Sequence, residues 1–223
     1  MNKSPKDRII VSRYSKKSTV KRWLHCCLFI LVFASCKNNE AKIDFADQFK
    51  KIDSVKASVK SGDLIVRNGN DEVSLATRKF NRKDTTYSHC GIIQIENDTV
   101  FVYHALGGSY NPSQKLMRQV LDSFCNPVEV DKFAIYRYSF PDEQKSALAE
   151  IIKEHYKNQL PFDMFFNYES DDTMYCSEFV FKSINRAAKN YFIQFLPPSN
   201  PVYITVDDLY LNPSATLIKK IIF

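Results

Sequence analysis

Ser88-His89-Cys90-Gly91-Ile92-Ile93-Gln94-Ile95-Glu96-Asn97-Asp98-Thr99-Val100-Phe101-Val102-Tyr103-His104-Ala105 reads as a β-hairpin, with strands at Ser88–Glu96 and Thr99–Ala105. Both runs are rich in β-branched and aromatic residues, and Asn97-Asp98 between them suits a tight two-residue turn. A two-residue turn sets Glu96 opposite Thr99 and, further along, His104 opposite Gly91. His89 lies two residues from Gly91 and shares its face. His89 and His104 thus become diagonal neighbours across the strands, with Gly91 leaving space beside them. By the same alternation Cys90 points to the opposite face. An odd-length turn would instead separate the two histidines. Taken alone, such a pair reads as two half-buried sheet histidines.

Further along, Tyr175-Cys176-Ser177-Glu178-Phe179-Val180-Phe181-Lys182-Ser183-Ile184-Asn185 opens a helix that runs on to Lys189. Apolar residues recur at Phe179, Val180, Ile184, Ala187 and Ala188, and Cys176 continues that stripe at its start. Asp171, Asp172 and Thr173 are the N-cap candidates. Cys176 is therefore expected in the first turn, facing the sheet, where free N–H groups and the helix dipole favour a thiolate. Asp171 and Asp172 would oppose this if turned inward, so at least one should face solvent. A thiol at a helix start beside a sheet histidine is a nucleophile–base pair, with a third polar group to orient the imidazole. Zinc held by Cys176, His89 and His104 is the metal alternative. No His-x-x-x-His or Cys-x-x-Cys spacing supports it, and no metal or cofactor is expected.

The rest of the chain fits one mixed domain. Helical spacing runs from Phe45 to Lys60, a strand from Asp63 to Arg67, and a weaker helix from Asp71 to Phe80. Ser113–Phe124 looks helical, Lys132–Tyr138 looks like a strand, and Asp142–Tyr156 is a helix opened by Pro141. His155 sits late in that polar helix. Gly107-Gly108 and Asn111-Pro112 mark a loop, Pro197-Pro198 and Asn200-Pro201 a turn, and Thr216–Phe223 a closing strand. Helices mixed with antiparallel strands indicate an α+β fold. The 223 residues, 44% hydrophobic and 13% aromatic, are enough for one packed core.

The formal charge of +6 suggests a nucleic-acid partner until its distribution is read. Residues 1–35 hold eight Lys/Arg and one acid, leaving 23 basic against 24 acidic residues for the remainder. The basicity belongs to the leader, and no nucleic-acid partner is expected of the folded part. The leader has a basic stretch ending at Lys21-Arg22, then an apolar run of 11 residues, Trp23–Phe33. That is the length of a signal-peptide core and too short to span a bilayer. It ends in Ala34-Ser35-Cys36 before polar Lys37-Asn38-Asn39-Glu40, which looks like a lipobox with Cys36 as the acylated residue. Phe33 stands where an aliphatic residue is usual. The expected organisation is a lipoprotein signal peptide at 1–35, a lipidated tether and N-terminal helix at 36–60, and a hydrolase domain at 61–223. Membrane contact would come through the lipid at Cys36, placing the protein in the bacterial cell envelope. Cys26 and Cys27 fall in the leader, so Cys90, Cys125 and Cys176 remain in the domain. Three is odd, and at least one exported thiol is left without a partner in the chain.

From about Ser61 onward the chain resembles the YiiX/YebB-like branch of NlpC-type cysteine hydrolases, whose fold is a circularly permuted papain fold. The matching pieces, in order, are Gly62-Asp63-Leu64-Ile65, Ser88-His89-Cys90-Gly91-Ile92, Phe162-Asp163, Tyr175-Cys176-Ser177-Glu178-Phe179-Val180 and Ile204-Thr205-Val206-Asp207-Asp208-Leu209. The ordered set, rather than any one piece, carries the resemblance. Histidine before cysteine is the permuted order, as in lecithin:retinol acyltransferase-like proteins. The resemblance implies an antiparallel sheet packed against helices, Cys176 as nucleophile and His89 as base. The third polar position varies in the family, and His104 is the candidate for it here. Tyr175 is a candidate oxyanion donor or an ordinary packing residue. Asp63 and Asp163 read as turn and framework residues, and Asn111 with the Gly107-Gly108 loop as possible cleft lining. Cys90 stands where an aliphatic residue is usual, which adds a redox liability. The expected activity is hydrolysis of a cell-wall peptide or related amide through an acyl-enzyme on Cys176; the alternatives are a lipid-directed acyltransferase or amidase of the permuted class and a non-catalytic binding lipoprotein.

Overall fold

The computed structural model describes residues 44–189, 192–193 and 202–223. Cys36, the leader and the Pro197–Pro201 turn lie outside the described residues. In chain order the elements are α1 (Ala46–Lys56), β1 (Leu64–Gly69), α2 (Glu72–Thr77), β2 (His89–Glu96), β3 (Thr99–His104), β4 (Met117–Val120), α3 (Leu121–Phe124), β5 (Val130–Tyr138), α4 (Asp142–Lys157), α5 (Cys176–Ala188), α6 (Val206–Tyr210) and β6 (Ala215–Ile222). The six strands form one sheet in the order β4-β3-β2-β1-β5-β6, and every neighbouring pair is antiparallel.

The hairpin register is the expected one. Glu96 pairs with Thr99 and Ile92 with Tyr103. Asn97 and Asp98 carry φ of 46° and 61°, the positive values that a two-residue turn needs to match the strand twist. Gly91, at the far end of the hairpin, is required beside His104. A Cβ there would lie 2.7 Å from the Tyr103 carbonyl oxygen and 3.0 Å from the His104 Cβ.

Strand alternation divides the core into two apolar layers. Leu64, Val66, Cys90, Ile92 and Ala134 pack under α4, α5 and α6, against Leu148, Ile152, Phe179, Val180, Ile184 and Leu209. Ile65, Ile93, Val102, Phe133 and Ile135 pack on the other side against Ile52, Val55, Leu121 and Phe124. Ile52 and Val55 are fully buried, so the N-terminal helix α1 packs into the second layer.

Two expectations are corrected. Ser113–Phe124 is not a helix. Met117–Val120 pairs with β3 as an edge strand, and only Leu121–Phe124 turns helical. Strand pairing outweighs the local helical spacing because it supplies backbone partners that a short isolated helix lacks. The N-cap of α5 is Tyr175, not Asp171, Asp172 or Thr173. The fully buried Glu178 closes the helix start by accepting the Tyr175 N–H at 3.2 Å. Asp171 and Asp172 are both exposed, and Asp171 meets Lys182 at 2.6 Å.

Buried carboxylates hold the loops. Asp207 accepts the backbone N–H groups of Arg82, Lys83 and Asp84. Asp163 accepts those of Phe165 and Asn167. The Asp63 carboxylate, 1% exposed, takes two bonds of 2.7 Å from Arg137 and one of 2.8 Å from the Lys60 N–H. Replacing Asp63 by Ala removes a bidentate partner and strands a half-buried guanidinium. Asp63→Ala is expected to lower the unfolding free energy in urea by about 3 kcal/mol, since one end of the pair keeps some solvent. A change of no more than about 0.5 kcal/mol, the size seen at ordinary surface positions, would count against a framework role.

Candidate active site

His89 opens β2 and His104 closes β3, so the register brings the two ends together. His89 Nε2 lies 2.9 Å from His104 Nδ1, with the rings edge to face at 5.0 Å between centroids. His104 is fully buried and His89 nearly so. Phe124 backs both rings, at 5.8 Å from His89 and 5.0 Å from His104. The guanidinium of Arg67, the register partner of His89, lies over the Phe124 ring at 4.6 Å and donates to the Phe124 carbonyl at 2.5 Å.

The next link is Gln119, which sequence reasoning missed. Its Oε1 lies 3.0 Å from His104 Nε2. On β4, Gln119 pairs with Val102 and Met117 with His104, so Gln119 is the diagonal neighbour of His104 on the same face. Reading 117–120 as a strand would have found it.

The chain of bonds assigns the tautomers. A carboxamide oxygen only accepts, so His104 Nε2–H donates to Gln119. Burial, the neighbouring His89 and the Arg67 cation all depress the His104 pKa well below its ordinary value, and the Gln119 bond opposes them. His104 is therefore neutral, with a bare Nδ1 that accepts from His89 Nε2–H. That leaves His89 Nδ1 free to face the thiol.

Cys176 is the first residue of α5 and is 8% exposed. A hydrogen bond with Cys90 is the largest influence on its sulfur. Together with His89 and the Ser177 N–H, it holds the thiol well below its ordinary pKa, against the opposing effect of burial. Cys90 is pushed the other way, first by burial and then by the same bond.

Strand parity had set Cys90 apart from His89, and it does lie on the other face. Helix α5 packs on the Cys90 face, and Cys176 shares its apolar layer with Cys90. Cys90, Cys125 and Cys176 are all free thiols.

Other sequence candidates sit in the framework. The Tyr175 hydroxyl accepts the Ile204 N–H at 2.8 Å, and Ser177 Oγ donates to the Ile204 carbonyl at 2.8 Å. These two bonds fasten the start of α5 to the segment before α6. An oxyanion role would leave Tyr175 only its own hydroxyl proton to give. Asn111 spends its amide on the Leu106 and Lys115 carbonyls at 2.7 Å each, pinning the loop after β3. His155 sits on α4 against Phe179, 6.0 Å between centroids, and makes no part of the His89–His104–Gln119 chain.

The donor set does not fit a metal. His89 Nε2 and His104 Nδ1 are spent on one another, and no group of three or more His, Cys, Asp or Glu among the described residues could hold an ion. What the arrangement can do is take a proton from a thiol and hold the resulting imidazolium in a fixed orientation.

The described fold is similar to the crystal structure of the metalloprotein yiiX from Escherichia coli O157:H7, with a TM-score of 0.60 and 20% identity, covering 74% of this chain and 99% of that one. No curated protein matches the chain in sequence. The sequence model of the permuted papain-like amidases, YaeF/YiiX, C92 family, matches residues 58–193. That span carries the hairpin, Gln119 and the Cys176 helix start, and the chain belongs to this family of permuted papain-like amidases.

Proposed function

We propose that the protein is an envelope-anchored cysteine amidase that uses Cys176 as nucleophile, His89 as base and His104 as the residue that orients the base. The observation that carries this reading is the hydrogen-bonded chain from Gln119 through His104 to His89, with the Cys176 thiol held well below its ordinary pKa by Cys90 and His89 against burial. A sheet that needed only packing at these positions has no use for three polar groups aligned beside a lowered thiol.

In the proposed reaction the Cys176 proton passes to His89 Nδ1, and the thiolate attacks the amide carbonyl. The backbone N–H of Cys176, unpaired at the helix start, faces the oxyanion. His89 returns the proton to the leaving amine, and water then releases the acyl group from sulfur. His104 stays neutral throughout, because burial and Arg67 disfavour its charged form. It can accept from His89 Nε2–H without competing for the proton.

The substrate reading is a cell-wall peptide or a related amide. The lipobox-like Ala34-Ser35-Cys36 motivates anchoring through lipid at Cys36, on the periplasmic or surface side. Among the described residues no helix is long and apolar enough to cross a membrane. A lipid amide is the second reading, favoured by one feature. Met164, Phe165 and Phe166 are exposed, Phe165 at 92%, and Phe166 packs on Tyr175 at 5.1 Å between centroids. An apolar rim thus borders the start of α5, where an acyl chain would have somewhere to lie.

Three measurements test this reading. Mass spectrometry of an envelope digest incubated with protein should show new products for the wild type and none for Cys176→Ala. Turnover on the same digest should fall by about 10²–10⁴-fold in His89→Ala, the usual worth of a positioned base. Full activity in either variant would sink the proposal, and faster turnover of lipid amides than of muropeptides would select the second substrate. Alkylation by iodoacetamide gives a check independent of substrate. Cys176 should stay reactive at pH values well below those of an ordinary thiol, because its pKa is lowered. In Gln119→Leu the His104 tautomer is no longer fixed, and kcat should fall while KM holds. An ordinary alkylation profile, or a Gln119→Leu loss confined to KM, would contradict the assigned roles.

A further inference from the structure

Arg67 stands directly opposite His89 across the β1–β2 pairing, so the two side chains leave the sheet on one face with Cβ atoms about 5 Å apart. Its guanidinium and both histidine rings rest on the same side chain, Phe124. The Arg67 Cζ lies 4.6 Å from that ring centroid, His89 5.8 Å and His104 5.0 Å. Among the described residues only Nη1 is spent, on the Phe124 carbonyl at 2.5 Å. We propose that the open edge of Arg67, Nε and Nη2, binds a carboxylate on the amine side of the scissile amide, so that the enzyme releases an amino acid or short peptide whose terminal carboxylate lies close to the cut bond.

Three observations carry this. The first is a missing counterion. Arg82, Arg118, Arg137 and Arg186 each pair with a carboxylate at 2.5 to 3.7 Å, whereas Arg67 forms no ion pair with a described residue. Asp71 and Glu129 act on its charge without such contact, and Asp71 is spent on the Ser74 N–H at 2.9 Å and hydroxyl at 2.7 Å as the cap of α2. A half-buried guanidinium without a carboxylate is a costly way to pack a sheet. The second is access. Nε and Nη2 make no hydrogen bond with a described residue, and neither is a buried atom left without a partner. They therefore open on solvent, side by side, in the fork that takes a carboxylate bidentately. The third is direction. His89 returns its proton to the leaving amine, so that nitrogen lies at His89, and Arg67 is the register partner of His89. In a released amino acid the carboxylate is one carbon from that nitrogen.

The guanidinium is held before any substrate arrives, by the Phe124 ring below it and the Phe124 carbonyl at Nη1. A carboxylate thus meets a partner whose ordering cost is already met, and its seating brings the leaving nitrogen to His89. An amine that carries no anion leaves Arg67 unused.

The inference rests on Cys176 being the nucleophile beside His89. Its test compares an acid and a neutral probe on that one thiol, so the two readings fail separately. N-bromoacetylglycine and N-bromoacetylglycylglycine, each against its carboxamide, alkylate the full chain at Cys176. The sulfur displaces bromide, and the carboxylate sits on the amine side of the probe's amide. In the wild type, at one of the two lengths, the acid-to-carboxamide rate ratio should exceed that of free cysteine by about tenfold or more, the worth of a hydrogen bond to a charged group. Arg67→Met should bring the ratio down toward that of free cysteine, and Arg67→Lys should keep part of it. A change in thiol ionisation or in His104 touches both probes alike and cancels in the ratio, and a packing role for Arg67 leaves the ratio unmoved. Attraction to a charged His89 would persist in Arg67→Met. No acid preference in the wild type at either length overturns the inference without any variant having to fold. So does a preference that survives Arg67→Met. Carboxamide alkylation no faster than that of free cysteine would overturn the amidase reading, and this inference with it.

Discussion

The 2.9 Å bond between the ring nitrogens of His89 and His104 constrains everything around the site. Two imidazoles can share one hydrogen bond only if one offers a bare nitrogen, so one of them must be neutral and held in a single tautomer. Burial supplies the neutrality at His104, and the Gln119 oxygen supplies the tautomer. The bond also demands a register. A one-residue slip between β2 and β3 would turn one ring to the opposite layer. The Asn97-Asp98 turn and the bare Cα of Gly91 are the local features that fix this register. Phe124 then fills the space against both rings and prevents them from rotating away.

The reactive groups come from both sides of the sheet. The helix that carries Cys176 belongs to the layer of Cys90, Ile92 and Phe179. The two histidines face the layer of Phe124. Consecutive residues on a strand point to opposite faces, so a thiol over one face would normally be shielded from a histidine on the other. The first residue of a strand is the exception, because no further backbone stands between the faces. His89 is the first residue of β2 and Cys176 the first residue of α5. The site is built where two elements begin, which also leaves the Cys176 N–H unspent by the helix.

This explains how much could be read from the sequence. The β2–β3 pair, its register and the pairing of the histidines follow from alternation and a two-residue turn, which are local properties. The start of α5 follows from its apolar stripe to within one residue. The missed features all depend on contacts distant in sequence. Met117–Val120 is a strand only because β3 is there to pair with it, and with it went Gln119. The true N-cap of α5 depends on Glu178 being buried beneath it, a fact no spacing contains. The face on which α5 packs decides whether Cys90 meets the thiol. Parity placed Cys90 correctly relative to His89 and could not say which layer held the helix.

Around the thiol, nearly every other polar group is already committed to holding backbone. Glu178 takes the Tyr175 N–H and pairs with Lys182 at 2.8 Å, and Lys182 also reaches the Tyr168 and Ser170 carbonyls. Burial pushes the Glu178 carboxyl up to about 7 even against Lys182, which shows how dry the base of the helix is. Tyr175 and Ser177 are fastened to Ile204, and Asp207 gathers three N–H groups from the 82–84 turn. In a setting this dry, a thiolate left without donors would be strongly disfavoured. The groups that remain for the sulfur are Cys90, His89 and the Ser177 N–H.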